Sequence, residues 1–220
     1  MSLSHDLQEF TDLVDPRHTM LLVVDVQPLF TSMPLQPPLT DVLPAIRSTI
    51  DSSRELGIPR TFIRHIITEE GRTDVWQRQI PPDLLTLLAP SAPTSDFDPS
   101  FLPQPGDLVI DKPTYSAFVR TDLADLLRER GIRTVVAVGL TTDICVSSTV
   151  RDAFHHGFHT VTLSDCTAEQ TMTRHEAGLA SLAANFGEVR TSVEVIAAWH
   201  STHRDRSSIL GREMSKPRLS

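Results

Sequence analysis

The hydrophobic positions of this chain fall into short apolar, β-branched runs separated by longer stretches in which apolar residues return every three or four positions. Met20 to Val24 (MLLVV) is a continuous apolar run closed by Asp25, the pattern of a parallel strand buried on both faces. Arg60 to Ile67, Asp107 to Ile110, Thr134 to Val138 and Thr160 to Leu163 predict further strands, and Val189 to Val195 contains a last edge strand. Helical spacing marks Asp41 to Leu56 (closed by Gly57), Thr121 to Arg130 (ended by Gly131), a segment from near Asp143 to Gly157, and Thr173 to Phe186. This alternation implies an α/β fold in three αβα layers: a mostly parallel, doubly wound Rossmann-like sheet of about six strands with helices on both faces.

The remaining segments lack such patterns. Residues 1–18 are polar and broken by Asp15-Pro16, so they read as an arm or short helix outside the core, ahead of one domain over 19–200. The polar, basic-leaning residues 201–220 read as a flexible or subunit-packing tail. Residues 71–106 are proline-rich and irregular apart from a short helix at Asp83 to Leu88, and a loop of that length is expected to cover or build a site.

Composition narrows the classes. A chain of 220 residues, 40% hydrophobic and 22% charged, suits one sizeable globular domain, and a net charge of -8 with no basic stripe argues against nucleic acid as a partner. Two cysteines, Cys145 and Cys166, make neither a disulfide framework nor a repeated metal-ligand spacing. With no apolar run of membrane length and no basic-then-apolar start, the expectation is a cytoplasmic enzyme with reduced thiols and no membrane partner.

In a parallel sheet the residues that follow strand carboxyl ends gather along one edge, where open α/β folds bind ligands. Asp25, Lys112 and Cys145 each occupy such a place. Cys145 falls in the first turn after the strand-to-helix segment TVVAVGLTTDIC, where helix N–H groups and dipole are expected to lower a thiol's pKa. An acid, a cation and a thiol in one crevice supply proton acceptor, electrostatic support and nucleophile. Each also has a plain structural reading: a capping aspartate, a solvated lysine, a core-filling cysteine.

The segments LLVVDVQPLF, VIDKPTYSAF and GLTTDICVSSTVRDAFHHGF, in this order and spacing, resemble the isochorismatase-like cysteine hydrolases over most of residues 18–197. The resemblance implies a catalytic triad of Asp25, Lys112 and Cys145. It also implies a cis peptide bond at Leu140-Thr141 that aims the Thr141 N–H beside that of Cys145 as an oxyanion hole. Phe30 matches a pocket aromatic, Trp76, Tyr115 and Phe118 are further pocket candidates for a small-molecule substrate, and Gln27 supports the site. Similar proteins are homodimers or homotetramers.

Departures from the family's branches narrow the activity. Nicotinamidases carry an Asp-x-His metal element after the second strand, whereas this chain has Arg64-His65-Ile66-Ile67. Its nine histidines form no cluster with a carboxylate in sequence, so the expectation is no metal and no cofactor, with His65 a packed or hydrogen-bonding residue. Arg64, His65 and Arg72 are candidates to recognise a substrate carboxylate. Cys145, absent from enol-ether-cleaving isochorismatases, favours attack on the carbonyl of a small amide, carbamoyl or ureide group. The alternatives are enol ether hydrolysis releasing pyruvate through Asp25 and Lys112, a binding module without turnover, and a redox thiol; Cys166 is assigned no chemistry.

Overall fold

The computed structural model describes residues 9–69 and 73–202. Its centre is a six-stranded sheet in the order β3-β2-β1-β4-β5-β6, in which every neighbouring pair is parallel. The strands are β1 (Thr19–Val24), β2 (Arg60–His65), β3 (Leu108–Lys112), β4 (Thr134–Leu140), β5 (His159–Ala168) and β6 (Glu188–Arg190). Chain order reverses direction between β1 and β4, which lie side by side, so the crevice of a doubly wound sheet opens at their carboxyl ends. All six residues of β1 and all seven of β4 are buried, as central strands covered on both faces require.

Alternation along β1 divides two cores. Leu21 and Val23 face one layer with Val42, Ile46, Ile50 and Trp199; Met20, Leu22 and Val24 face the other with Leu123, Leu127, Val150 and Leu182. The helices are α1 (Pro28–Thr31), α2 (Leu39–Glu55), α3 (Asp74–Gln79), α4 (Pro82–Leu87), α5 (Leu123–Glu129), α6 (Ser147–His155) and α7 (Met172–Asn185). Gly57 takes φ +69 just past α2, a conformation glycine adopts without a Cβ penalty.

Several expectations shift. Residues 9–13 are helical, and Phe10 and Val14 enter the core rather than lying in an outside arm. Asp15-Pro16 does end that helix, as expected, and opens a 3₁₀ turn in which the Asp15 carboxylate accepts from the Arg17 N–H. The span 71–106 holds α3 and α4 instead of one short helix; Thr73 caps α3 by accepting from the Trp76 N–H. β5 runs five residues past Leu163, and the edge strand ends at Arg190 because a helix occupies 192–202 and buries Trp199. Residues 1–8, 70–72 and 203–220 lie outside the described residues, and with them most of the expected tail and Arg72.

Candidate active site

Asp25 follows β1 directly. It holds φ +51, a left-handed conformation that aspartate tolerates better than most residues, and its N–H still donates to the Ile63 carbonyl at 2.9 Å. On the other side of β1, Gly139 pairs with Val24 at φ +124, and a Cβ there would lie 1.9 Å from the Val24 carbonyl oxygen. Glycine is what lets β4 end this close to Asp25.

β4 leaves the sheet through a cis Leu140-Thr141 peptide bond and a π-helical turn, Thr142–Val146, before α6 begins. The expected regular helix from Asp143 is therefore preceded by a wider turn, and Cys145 sits on it. Neighbouring elements fix that turn: the Asp143 N–H donates to Glu169 Oε2 at 3.0 Å, Thr142 Oγ1 lies 2.8 Å from His175 Nδ1, and Arg174 donates to the Asp143 carboxylate at 3.3 Å. Gly178 of α7 packs so closely that an added Cβ would stand 3.3 Å from Asp143 Cα.

Lys112 is the last residue of β3, not the residue beyond it. Its chain reaches past β2 to place Nζ 2.8 Å from Asp25 Oδ2, 3.4 Å from Cys145 Sγ and 3.0 Å from the Thr114 carbonyl oxygen. Three acceptors thus surround an ammonium that has three protons to give. Asp25 and Lys112 are fully buried and Cys145 is 3% exposed. Asp25 pairs with the Lys112 ammonium at 2.8 Å and has the Cys145 thiol as a second hydrogen-bond partner, so the thiol proton has a carboxylate to go to.

Burial sets the protonation states here. It pushes the Cys145 thiol well above its ordinary range, with Lys112 opposing and Asp25 adding to the rise. Burial thus works against the lowering expected from the helix N-terminus, because removing water disfavours the thiolate. Burial likewise raises the Asp25 carboxyl, against the pull of Lys112. For Lys112 burial acts downward, and Asp25 and Cys145 together reverse it to a raised value. These shifts favour a neutral Cys145 thiol and a charged Lys112 ammonium, while burial pushes Asp25 toward protonation and Lys112 holds it back.

A histidine joins this group. His65, at the end of β2 and 2% exposed, places a ring nitrogen within 4.8 Å of both an Asp25 oxygen and Cys145 Sγ. The expectation that no histidine meets a carboxylate is thus corrected: β2 and β1 are adjacent strands, and pairing across them is invisible in sequence spacing. These three donors surround a place next to the Lys112 ammonium, a resident cation that opposes a second one.

The other candidates separate. Trp76 and Tyr115 meet at a tilt with 4.8 Å between centroids, both rings touch His65 edge-on, and both line an open cleft of about 400 Å³ with Ile80, Ser116, Ser148 and Arg151. Phe30 packs in one core and Phe118 in the other, where Phe118 stacks on His156 at 5.1 Å; neither lines the cleft. Gln27 is fully buried and spends its amide on backbone: Oε1 accepts from the His65 N–H at 2.8 Å, and Nε2 donates to the Ser95 and His65 carbonyls. Arg64 grips Asp111 with two bonds of 2.8 Å and Asp96 with one of 2.9 Å, so its guanidinium is already matched by carboxylates. Glu169, His175 and Ser148 had no motif to announce them; only the packing of β5 and α7 on the turn reveals the first two.

The chain is 32% identical over 199 residues to the ureidoacrylate amidohydrolase of Methylobacterium radiotolerans, covering 80% of this chain and 77% of that one. It is 30% identical over 182 residues to the maleamate amidohydrolase of Pseudomonas putida, covering 80% and 84%. Among solved structures, a cysteine hydrolase from Pseudomonas syringae pv. phaseolicola superposes with a TM-score of 0.78 at 26% identity, over 86% of this chain and 96% of the other. N-carbamoylsarcosine amidase from Thermoplasma acidophilum, at 24% identity and a TM-score of 0.68, shares the fold. The isochorismatase domain matches residues 19–194, from the first residue of β1 to beyond β6, and so takes in all three strand ends that meet at Cys145: the chain belongs to the isochorismatase family of hydrolases.

Proposed function

We propose that the protein is a metal-independent cysteine hydrolase that cleaves a small amide, carbamoyl or ureide C–N bond through a thioester on Cys145. The observation that carries this reading is the Lys112 ammonium, in contact with both the Asp25 carboxylate and the Cys145 sulfur inside a buried pocket. Asp25, its basicity raised by burial, takes the thiol proton as sulfur attacks the carbonyl. Lys112 compensates the negative charge that passes between carboxylate and thiolate, so a thiol with a raised pKa still ionises at the moment of attack.

The tetrahedral oxyanion is assigned to the backbone N–H groups of Thr141 and Cys145. Protonated Asp25 then gives its proton to the leaving nitrogen, which departs as ammonia or an amine. Water attacks the thioester, Asp25 again accepts a proton, and the acid and free thiol are released. Ureidoacrylate and maleamate, the compounds in the relatives' names, both present a carbonyl bonded to nitrogen. The cleft beside Trp76 and Tyr115 is assigned to the rest of such a substrate.

The test is ammonia release from a panel of small amides and ureides by chelator-treated wild type and Cys145→Ala, with intact-mass detection of an acyl adduct on the wild type. Ammonia from wild type alone supports the reading. Pyruvate released equally from isochorismate by both proteins replaces it with enol ether hydrolysis. A homodimer or homotetramer in the cytoplasm belongs to the same proposal, and light scattering reads the assembly. Among the described residues no helix is long and apolar enough to cross a membrane.

A further inference from the structure

His65 is not needed by the steps above, yet it is the best-oriented unused group in the pocket. Its ring bonds to the backbone of Pro113, and proline has no N–H, so the bond must run from a ring N–H to the Pro113 carbonyl. Among the described residues Nε2 has no partner, and it is buried, which makes Nδ1 the donor and leaves Nε2 as a bare lone pair. Burial and the nearby Lys112 charge keep the ring neutral. Nδ1 being engaged, Nε2 is the nitrogen left to face the cluster formed with Asp25 and Cys145. The backbone at this position is clamped from both sides by Gln27, and the ring packs edge-on against Trp76 and Tyr115. A buried acceptor held this firmly awaits a donor.

We propose that His65 Nε2 accepts a hydrogen bond from an N–H on the scissile nitrogen of the substrate, and so selects carboxamides, carbamoyl and ureide groups over the matching esters. This rests on the amidohydrolase reading of the site and adds to it a group that touches the substrate. Holding the nitrogen on the His65–Asp25 side turns the carbonyl oxygen toward the Thr141 and Cys145 amides and aims the leaving nitrogen at the acid that protonates it. An ester offers no N–H and leaves Nε2 unpaired, which is how a polar site discriminates against an analogue lacking the donor.

The experiment compares kcat/KM for maleamate with that for the ester in which OCH3 replaces its NH2, and for the ureides ureidoacrylate and N-carbamoyl amino acids with that for the carbamates in which oxygen replaces the scissile nitrogen, in wild type, His65→Phe and His65→Gln. Phenylalanine keeps the ring contacts and deletes the acceptor; glutamine restores an acceptor oxygen. The expected result is an amide rate about 10–100-fold lower in His65→Phe, an ester rate within about threefold of wild type, and partial recovery of the amide rate in His65→Gln. Equal losses on amide and ester, or an unchanged amide rate, overturn the proposal, since a merely structural role moves both substrates together.

A second measurement does not depend on turnover or on the folding of a His65 variant. In ¹⁵N-histidine-labelled Cys145→Ala protein, the Nε2 resonance moves on addition of the amides and stays in place with the esters. An Nε2 resonance indifferent to all the amides overturns the proposal. Failure of the underlying reading looks different: wild type then forms no acyl adduct on Cys145 with either amide or ester.

Discussion

The two cysteines make a natural experiment within one chain. Both are free, both are buried, and burial raises both thiols. Cys166 sits near the carboxyl end of the long strand β5 on the face of the sheet opposite Cys145, 3.6 Å from Thr49 Oγ1, and its charged neighbour is Asp165, which raises the thiol further. Cys145 sits on a turn, 3.4 Å from an ammonium that is itself ion-paired to a carboxylate able to take its proton. The thiols differ little; their neighbours differ in kind. A nucleophile here is a sulfur supplied with a base and a compensating cation, and the opposite-face placement of Cys166 removes the resolving partner that a redox cycle would use.

The sharpest way to break this contrast is to remove each sulfur. Cys145→Ala should lower amide hydrolysis by at least ~10³-fold, read as ammonia release, while Cys166→Ala should keep wild-type kcat and lose about 1 kcal/mol of stability in urea. Comparable losses of kcat from both would end the distinction.

Next comes the cation. Lys112→Met leaves Asp25 buried without its partner, so unfolding should become easier by about 3–5 kcal/mol, and the thiol should lose its reactivity toward iodoacetamide at neutral pH. Gly139→Ala should also destabilise severely, by about 3 kcal/mol or more, because its Cβ meets the Val24 carbonyl beside Asp25. Urea denaturation checks both.

The smallest effects are in pH. With the Asp25 carboxyl raised above 3.8, the acid limb of kcat/KM should fall off at a pH above that value as the base is protonated. His65, held well below 6.5, binds fewer protons folded than unfolded. Its contribution to stability is therefore present above pH 6.5 and lost as pH falls toward its folded value, with a slope of up to about 1.4 kcal/mol per pH unit. Melting temperatures between pH 7 and 5 should show a shallower slope in His65→Phe than in wild type; equal slopes would remove His65 from the account.

The strand runs made the parallel sheet legible, and the residues closing them made its reactive edge legible, because apolar run length and the residue after it are local properties. MLLVVD, VIDK and TVVAVGLTTDIC place Asp25, Lys112 and Cys145 on one edge before any coordinates are known. The extent of β5 past Leu163 was not legible, since SDCTA alternates without a continuous apolar run, nor was the entry of Phe10 into the core.

What the sequence by itself determined is therefore the fold class and the three groups along the sheet edge. Tertiary structure alone decided their protonation, the pairing of Arg64 with Asp96 and Asp111, and the approach of His65 to Asp25 and Cys145. The physical reason is range. A helix dipole beside Cys145 can be read from its own turn, but the desolvation that opposes it sums over atoms contributed by β1, β2, β3 and the turn's neighbours, and only the folded chain brings those atoms together.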